Sequence, residues 1–339
     1  MAIHPKNPTQ PGNAIAEIGQ FLQPELSQVS AILAGILESE STLIREVGRY
    51  IGLAGGKKLR PMITLLFARA FGPGGTASPV EVAAALEAVH VATLLHDDVI
   101  DKAPLRRGQA SVNARWGDDV AILMADYLYS AAFDLALQFM ETEGLRLITQ
   151  VTRRMCEGEM FQIERRGSWL KPEDYMQIIS AKTAYLFSGC ASLGCMAAGL
   201  TDGAASRGAA FGLNFGLAFQ ITDDTLDYTG EDQELGKRAG ADLDGGKQTL
   251  PLILALEKAV PDDACRLRAA FGGVSACEER DGDVVRELIR KYGAVPKALD
   301  LARQYALQAS GDLAALSVRD EVAFELLSAL PAYVISRRS

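Results

Sequence analysis

Two segments of the sequence carry three aspartates each, in the same DDxxD spacing. They are "LLHDDVIDKAPLRRG" and "FQITDDTLDYTG", and their acidic residues are Asp97, Asp98, Asp101, Asp223, Asp224 and Asp227. On an α-helix this spacing places three carboxylates within one arc of roughly 100°, where they repel each other unless a cation binds between them. A single cluster could be a solvated helix face. Two clusters with the same spacing and context indicate a shared role.

The type of ligand predicts the metal. Carboxylate oxygens without an accompanying cluster of His or Cys residues are typical ligands of Mg²⁺. This ion keeps several of its waters and usually bridges one or two carboxylates to the phosphate oxygens of a ligand. We therefore predict Mg²⁺ as the cofactor, held by the six aspartates, together with a phosphate-bearing ligand.

Basic residues accompany both acidic segments, as a phosphate-bearing ligand requires. Lys57 and Arg60 lie in "GGKKLRP", a loop that enters a helix, where free backbone N–H groups and the helix dipole favour anions. The basic residues that follow the acidic segments are Arg106, Arg107, Lys237 and Lys247. Each alone could be a solvated surface side chain, but their joint placement predicts a diphosphate site.

Four further polar residues interrupt apolar helical segments. His90 lies two turns before the first acidic triplet on nearly the same helix stripe, although a core histidine is the ordinary alternative. Gln220 lies one turn before the middle acid of the second triplet, and its neutral amide could orient a ligand. Lys182 and Thr183 interrupt "SAKTAYLF", where a buried lysine is costly unless an anion meets it.

These residues lie in segments with helical periodicity. Apolar residues recur at three- and four-residue spacing along almost the whole chain, and no convincing run of alternating β-branched residues interrupts them. We predict an all-α fold with one domain, a helical bundle over residues 15–339. Residues 1–14 are polar and rich in proline, which predicts a disordered lead-in.

Bulk composition excludes several classes of protein. A formal net charge of −9 argues against nucleic-acid binding, which needs a basic surface. The five cysteines form no CxxC pair, so free thiols in a reducing cytoplasm fit better than a disulfide framework. The N-terminus lacks the apolar core of a signal peptide. We therefore expect a cytoplasmic protein.

One uncharged stretch, from Thr183 to Leu200, is nearly long enough to cross a bilayer. It consists largely of Ala, Gly, Ser and Cys, and a second uncharged run, "GAAFGLNFGLAFQIT", follows it. Small residues let helices approach each other closely. The two runs therefore predict central helices of a bundle, and we expect no stable membrane anchor.

The ordered set of motifs resembles that of the trans-isoprenyl diphosphate synthases, in particular the branch that makes octaprenyl to decaprenyl chains. The motifs are "GGKKLRP", "LLHDDVIDKAPLRRG", "GEMFQ", "AKTAYLF", "AFQITDDTLDY" and "DLDGGKQTLP". They run from about Gly55 to Pro251, and their combination is highly specific. The resemblance implies the isoprenoid synthase fold, in which two aspartate motifs face each other across a deep central cavity, and a homodimer.

The resemblance also implies a role for each polar residue. Asp97, Asp101 and Asp223 would bind Mg²⁺, with support from Asp98, Asp224 and Asp227. The residues that would contact the allylic diphosphate are Arg106, Lys182, Gln220, Lys237 and Lys247. Those that would hold isopentenyl diphosphate are Lys57, Arg60, His90 and Arg107. The reaction centre would be lined by Lys182, Thr183, Gln220 and Gln162 of "GEMFQ".

The implied activity is a Mg²⁺-dependent prenyl transfer. Breaking the allylic C–O bond releases pyrophosphate and leaves a carbocation, which the double bond of isopentenyl diphosphate attacks. Such a reaction needs concentrated positive charge at the diphosphate and no strong nucleophile near the cation. No Ser/His/Asp or Cys/His arrangement stands out in the sequence, in agreement with that need.

Four residues are candidates for setting the length of the product. In the family, the residues four and five positions before the first aspartate help to form the cavity floor, where large aromatic side chains stop growth early. Here they are Thr93 and Ala92, both small. Met124 and Phe133 are candidates for a deeper floor or for ordinary core. We expect a long all-trans product, such as a quinone side-chain precursor, with a farnesyl or geranylgeranyl product as the alternative.

Two other classes of protein match less well. A class I terpene cyclase usually carries an Asn/Ser/Glu-type second metal motif and would not need the basic cluster of Lys57, Arg60 and His90. A non-catalytic subunit of a heteromeric synthase would typically have lost some of its acids, whereas both triplets are intact here. Both alternatives stay open at the level of sequence.

Overall fold

The computed structural model describes residues 13–52, 56–72, 78–200, 202–229, 243, 245–271, 281–314 and 316–337. Its helices are α1 (Ala14–Phe21), α2 (Gln23–Ile36), α3 (Thr42–Ile51), α4 (Leu59–Phe71), α5 (Pro79–Ile100), α6 (Val112–Trp116), α7 (Asp118–Phe139), α8 (Thr142–Glu164), α9 (Pro172–Ile179), a π-helix (Ser180–Ala184), α10 (Tyr185–Ala197), α11 (Asp202–Thr229), α12 (Leu250–Lys258), α13 (Pro261–Phe271), α14 (Gly282–Lys291), α15 (Ala294–Leu313) and α16 (Glu321–Ser336). One small hairpin joins β1 (Leu105–Arg106) to β2 (Gln109–Ala110). The predicted all-α fold is confirmed.

The chain groups into two compact units. The first comprises Met1–Thr152, Leu186–Gly212 and Asp312–Leu330, and the second comprises Arg153–Tyr185, Leu213–Gly311 and Pro331–Ser339. The single domain over residues 15–339 stays a prediction. Most of the predicted lead-in, residues 1–12, lies outside the described residues, and α1 begins at Ala14.

The core of the first unit is built on α4 and α5. Every residue from 61 to 68 and every residue from 82 to 89 is buried. The ring of Phe67 packs against Phe71 and Phe211, with centroids 5.5 and 5.1 Å apart. Most of the buried residues of both helices are apolar. The buried polar residues of α5, Glu87 and Asp98, are therefore exceptions.

The small residues of α10 permit close helix packing in the first unit. A Cβ atom at Gly194 would lie 2.5 Å from the backbone oxygen of Thr64 in α4, so only glycine allows this approach. Cys190 and Cys195 are buried free thiols, and burial raises the pKa of each to about 12. This part of the uncharged run is a buried helix, as the sequence predicts.

Within the described part of the chain, α7 is the one helix long and apolar enough to span a bilayer by length and composition. Core helices of globular proteins have the same properties. Only 33% of its most apolar stretch is buried.

The second unit has two apolar clusters. One brings together α9, α11, α12 and α15 through Tyr175, Ile179, Ile221, Ile253 and Ala298. The other joins α12, α13 and α14 through Leu252, Leu267, Phe271, Leu288 and Ile289. Ile221 is fully buried, and it lies two residues before Asp223 on α11, so the packing of α11 positions these acids.

Candidate active site

The first aspartate motif lies at the C-terminal end of α5, in the first unit. The side chain of Asp98 is only 2% exposed, and its two oxygens accept hydrogen bonds from Arg106 Nε and Nη2 at 2.7 and 2.6 Å. A carboxylate and a guanidinium in this two-point geometry neutralise each other. Asp97 is half-buried and Asp101 is exposed. The middle acid is thus held by protein, while the two outer acids lie nearer to solvent.

Arg106 lies in β1 of the hairpin that follows α5, eight residues after Asp98. The strands are antiparallel, and the turn residues Arg107 and Gly108 have φ angles of 51° and 77°. Two successive positive φ angles are typical of a type I′ turn, whose twist matches a two-residue hairpin loop. Tyr50 anchors the hairpin by donating a 2.6 Å hydrogen bond to the last carbonyl of β2.

A basic cluster lies in the same unit, around the start of α4 and the middle of α5. Nη1 of Arg60 lies 3.0 Å from Nε2 of His90, and the guanidinium lies 4.6 Å from the ring centroid of Phe187. The guanidinium of Arg107 adjoins Gly56, where an added Cβ atom would lie 3.0 Å from Nη1. The structure therefore places three of the four residues predicted for isopentenyl diphosphate close to the loop before α4.

The loop before α4 carries two lysines. Lys57, the fourth predicted residue, is exposed. Lys58 has a φ angle of 48°, and its ammonium group binds the hydroxyl of Ser30. The described residues include three non-glycine residues with positive φ, and all are basic: Lys58, Lys102 and Arg107. Such strained backbone is uncommon and concentrates at functional sites.

Burial and charge set the protonation of two α5 side chains. Burial lowers the pKa of His90 well below its usual range, and nearby arginines lower it further. The ring is therefore neutral, and because a guanidinium only donates, Nε2 accepts from Arg60. Burial raises the pKa of Glu87, against the effect of Arg60 and other basic neighbours. Glu87 is an acid within the basic cluster, and no motif in the sequence marked it.

The second aspartate motif lies near the end of α11, in the second unit. Asp224 is 1% exposed, and three side chains donate to it: Gln220 Nε2 at 2.8 Å, Lys247 Nζ at 3.0 Å and Tyr175 Oη at 2.8 Å. Asp227 is half-buried. As in the first motif, the middle acid is buried and paired with a basic residue.

Thr183 joins this network through Gln220. Its hydroxyl donates a 2.9 Å hydrogen bond to Oε1 of Gln220, whose amide in turn donates to Asp224. The predicted pair of Thr183 and Gln220 is thus in direct contact. Tyr175, which completes the network from α9, was missed because a tyrosine in an amphipathic helix is indistinguishable from core in the sequence.

Lys182 lies in the π-helix that separates α9 from α10. It forms an ion pair with Glu159 of α8 and donates a 3.2 Å hydrogen bond to Oε1 of Gln162. An added Cβ atom at Gly158 would lie 2.5 Å from the Cβ of Ala181, so glycine lets α8 approach the π-helix. Single π-turns within α-helices are frequent at functional sites. Three residues of "GEMFQ" thus contact the π-helix: Gly158 packs against it, and Glu159 and Gln162 bind Lys182.

Asp223 pairs with a residue that lies 114 positions later in the sequence. Nη2 of Arg337, which follows α16, donates a 3.0 Å hydrogen bond to its Oδ1. The side chain of Asp223 is 42% exposed, whereas that of Arg337 is 10% exposed. No motif in the sequence marked Arg337. Lys237, predicted to contact the allylic diphosphate, lies outside the described residues.

The donor chemistry fits Mg²⁺. Within the described residues no three His, Cys, Asp or Glu side chains are grouped closely enough to hold a metal on their own. Mg²⁺ does not need such a group, because it uses one or two carboxylates together with waters and substrate phosphates. The acids suited to this role are the outer ones, Asp97, Asp101, Asp223 and Asp227, since Asp98 and Asp224 are buried against basic side chains.

The residues predicted to set product length all lie in the first unit. Ala92 is fully buried, Met124 is 3% exposed, and Phe133 is half-buried. Thr93 is half-buried, and its hydroxyl donates a 2.7 Å hydrogen bond to the carbonyl of His90. The α5 and α7 helices that carry these residues pack against each other. Their effect on product length stays a prediction.

Fold and site define an all-α enzyme with two aspartate motifs. Residues 41–288 match the model of the polyprenyl synthetase family. The chain is 35% identical over 306 residues to the octaprenyl diphosphate synthase of Escherichia coli, covering 90% of this chain and 93% of that protein. It is 37% identical over 328 residues to the nonaprenyl diphosphate synthase of Mycobacterium tuberculosis, covering 95% and 92%.

A solved structure agrees with these matches. The polyprenyl synthase from Caulobacter crescentus, complexed with calcium and isoprenyl diphosphate, superposes with a TM-score of 0.89 at 35% identity, covering 98% of this chain and 100% of that one. The chain therefore belongs to the polyprenyl synthetase family. It is an enzyme, a prenyltransferase, and the resemblance drawn from its motifs is confirmed.

Proposed function

We propose that this enzyme condenses isopentenyl diphosphate with an allylic prenyl diphosphate, and repeats the step to make a long all-trans polyprenyl diphosphate that serves as a quinone side-chain precursor. The observation that carries this proposal is the presence of two distinct groups in the first unit alone. One is the outer acids of the first motif, and the other is the basic cluster of Arg60, His90 and Arg107. A cyclase ionises one diphosphate, whereas a condensation binds two.

The basic cluster would hold isopentenyl diphosphate. Arg60 and Arg107 supply guanidinium forks that match phosphate oxygens, and both lie near Glu87. Lys57, which is exposed in the loop before α4, would add a further charge. Neutral His90 accepts from Arg60 and so orients its fork. Because buried Glu87 offsets part of the positive charge, the arginines can stay close together before the substrate arrives.

The allylic diphosphate would bind at the aspartate motifs. Mg²⁺ bound at Asp97, Asp101, Asp223 and Asp227 would neutralise the charge that develops on the departing pyrophosphate. Arg106 and Lys247 each hold a buried aspartate, yet their side chains are 38% and 47% exposed. Because both side chains are partly exposed, both would be accessible to the diphosphate, and Lys182 and Lys237 would add further charge.

The groups around the developing carbocation must not capture it. Thr183 and Gln220 are neutral, weak nucleophiles, and they are hydrogen-bonded to each other. Their oxygens can stabilise positive charge without forming a bond to it. The double bond of isopentenyl diphosphate attacks the cation and forms a new carbocation. This carbocation loses a proton to pyrophosphate, which serves as the base, and gives the lengthened chain.

Product length would depend on the small residues before the first motif. Thr93→Phe places an aromatic ring one turn before Asp97, at a half-buried position that tolerates added volume better than fully buried Ala92. We expect Thr93→Phe, and Ala92→Phe where it folds, to shift products towards farnesyl or geranylgeranyl length. Thr93→Val is the matched control and should leave product length unchanged. Unchanged products in both Phe variants would contradict this role.

We further propose a cytoplasmic homodimer. Several apolar side chains of α7 are exposed in the single chain, namely Ile122, Leu123, Leu137 and Phe139. A second copy could cover them. Leu123→Glu should halve the mass measured by light scattering after size exclusion, whereas Leu307→Glu, at an equally exposed leucine of α15, should not. An unchanged dimer in Leu123→Glu would place the interface elsewhere.

The activity itself is tested with labelled isopentenyl diphosphate, Mg²⁺ and allylic primers of increasing length, followed by sizing of the products. We expect octaprenyl to decaprenyl products, and a loss of rate of about 100-fold or more in Asp97→Asn. Asp119→Asn, at an exposed acid in the first turn of α7, is the control and should keep its activity. Cyclised hydrocarbons would indicate a cyclase, and no elongation with any primer would refute the proposal.

A further inference from the structure

Arg337 combines three properties that an ordinary C-terminal arginine does not share. Its side chain is 90% buried, it donates to Asp223 Oδ1 at 3.0 Å, and its guanidinium lies 4.9 Å from the ring centroid of Phe219. Phe219 lies on α11, one turn before Asp223. The guanidinium is therefore held in place beside the second aspartate motif by both charge and stacking.

Two of the three nitrogens of this guanidinium are unused. Nε and Nη1 of Arg337 are buried and have no hydrogen-bond partner within the described part of the chain. Buried donors of a charged group are costly to leave unpaired, and native proteins rarely retain them without a reason. Nε and Nη1 point along different edges of the guanidinium plane, so their partners must be acceptors other than the single oxygen of Asp223.

A diphosphate would meet that need. Its oxygens are strong acceptors, and the planar guanidinium fork matches phosphate geometry. The position is also suitable, because Asp223 is one of the outer acids to which the proposed function assigns Mg²⁺. In the structure, Arg337 supplies the positive charge beside this carboxylate. A metal ion at Asp223 and the Arg337 ion pair therefore compete for the same oxygen.

We propose that Arg337 is a further diphosphate-binding residue, which pairs with Asp223 in the ligand-free enzyme and turns its free donors to the diphosphate when the metal–diphosphate complex binds. This inference rests on the proposed function. It gives the C-terminal end of the chain a direct part in the site. It also makes metal binding without diphosphate unfavourable, since the metal alone must displace the guanidinium and offers it no anion in return.

The test uses the full-length enzyme and two probes, Mn²⁺ alone followed by its electron paramagnetic resonance, and inorganic pyrophosphate with excess Mg²⁺ followed by calorimetry. In Arg337→Gln, Mn²⁺ alone should bind several-fold more tightly, and pyrophosphate should bind about tenfold more weakly or worse, as expected for the loss of charged hydrogen bonds. Arg303→Gln is the control. It removes an arginine that pairs only with exposed Asp300, and should change neither value.

A purely structural role for Arg337 predicts a different result. If it only anchored the end of the chain, Arg337→Gln would lower the melting temperature and leave pyrophosphate affinity unchanged, and that result would overturn the proposal. Should Arg337→Gln not fold, Arg337→Lys decides the matter. It keeps the charge beside Asp223 but lacks the fork, so pyrophosphate binding should still weaken while Mn²⁺ binding stays near wild type. Equal pyrophosphate affinity in Arg337→Lys would also overturn it.

The same data separate this inference from the proposed function. If the wild-type enzyme does not bind pyrophosphate with Mg²⁺, the proposed function itself fails. If the wild type binds it and the Arg337 variants bind equally well, only the role of Arg337 fails.

Discussion

The two aspartate motifs share their spacing but are supported in different ways. In the first, both oxygens of Asp98 are satisfied by one guanidinium, which a hairpin delivers from eight residues further along the chain. In the second, the described residues that donate to Asp224 come from separate places: Tyr175, 49 residues before it, Gln220 on the same helix, and Lys247, 23 residues after it. One motif is thus supported locally and the other by a distributed network.

The difference predicts how the stability of each motif responds to the loss of one partner. A single strong partner concentrates the stabilisation of a buried charge in one residue, so its loss leaves the charge uncompensated. A network spreads the same task over several hydrogen bonds, and the loss of one member leaves the others in place. In both motifs, however, the result is the same arrangement, with a buried middle acid and outer acids nearer to solvent.

The largest effect is expected from Arg106→Met. It leaves Asp98 buried without the guanidinium that both of its oxygens bind. It should lower the free energy of unfolding by about 3 kcal/mol, the low end for a broken buried pair because Arg106 is partly exposed. Urea unfolding measures this loss. Arg146→Met, which breaks an exposed pair with Glu143, is the control and should cost close to nothing. The double variant with Asp98→Asn should recover much of the loss.

A smaller effect is expected from Tyr175→Phe. Among the described residues, Tyr175 is one of three side chains that donate to Asp224. The substitution removes this hydrogen bond and preserves the packing of the ring, so it should cost about 1–2 kcal/mol. The same urea measurement applies. If Tyr175→Phe proved as costly as Arg106→Met, the second motif would depend on one partner after all, and the contrast between local and distributed support would be wrong.

The smallest effect is the contribution of His90, which lies on the same helix as the first motif, to the pH dependence of stability. Because His90 stays neutral in the folded protein well below its ordinary pKa of 6.5, the unfolded chain takes up a proton there that the folded protein does not. Stability should therefore fall as the pH drops through 6.5. Between about pH 7.5 and about pH 5.5, wild type should lose about 1 kcal/mol more than His90→Gln. Equal losses in the two proteins would contradict burial of a neutral ring.

The sequence was sufficient to predict features that rest on a repeated pattern or on a distinctive local composition. Helical periodicity predicted the all-α fold. Basic residues were expected near each acid triplet, and the structure has Arg106 at Asp98 and Lys247 at Asp224. Arg60, His90 and Arg107 were expected together, and the structure brings them together around the loop before α4. The distinction between the middle and the outer aspartates was predicted only in part, because spacing alone does not reveal which carboxylate is buried.

What the sequence could not provide were partners set by tertiary packing. Tyr175 reaches Asp224 over 49 residues, and Arg337 reaches Asp223 over 114. Glu87 belongs to no motif, and it is informative only because it is buried near Arg60 and Arg107. In each case the type of residue is ordinary, and the information lies in the position that folding gives it.

The π-helix between α9 and α10 sets the relative orientation of two side chains, Tyr175 and Thr183. A π-turn contains one residue more than the α-turn it replaces. If the same residues of Ser180–Ala184 wound as ordinary α-helix, Thr183 would rotate by about 100° relative to Tyr175. The two side chains, which now converge on the pair of Gln220 and Asp224, would then point in different directions. The π-turn therefore keeps both side chains on one face of the helix, and a variant in which this segment winds as α-helix should lose that convergence.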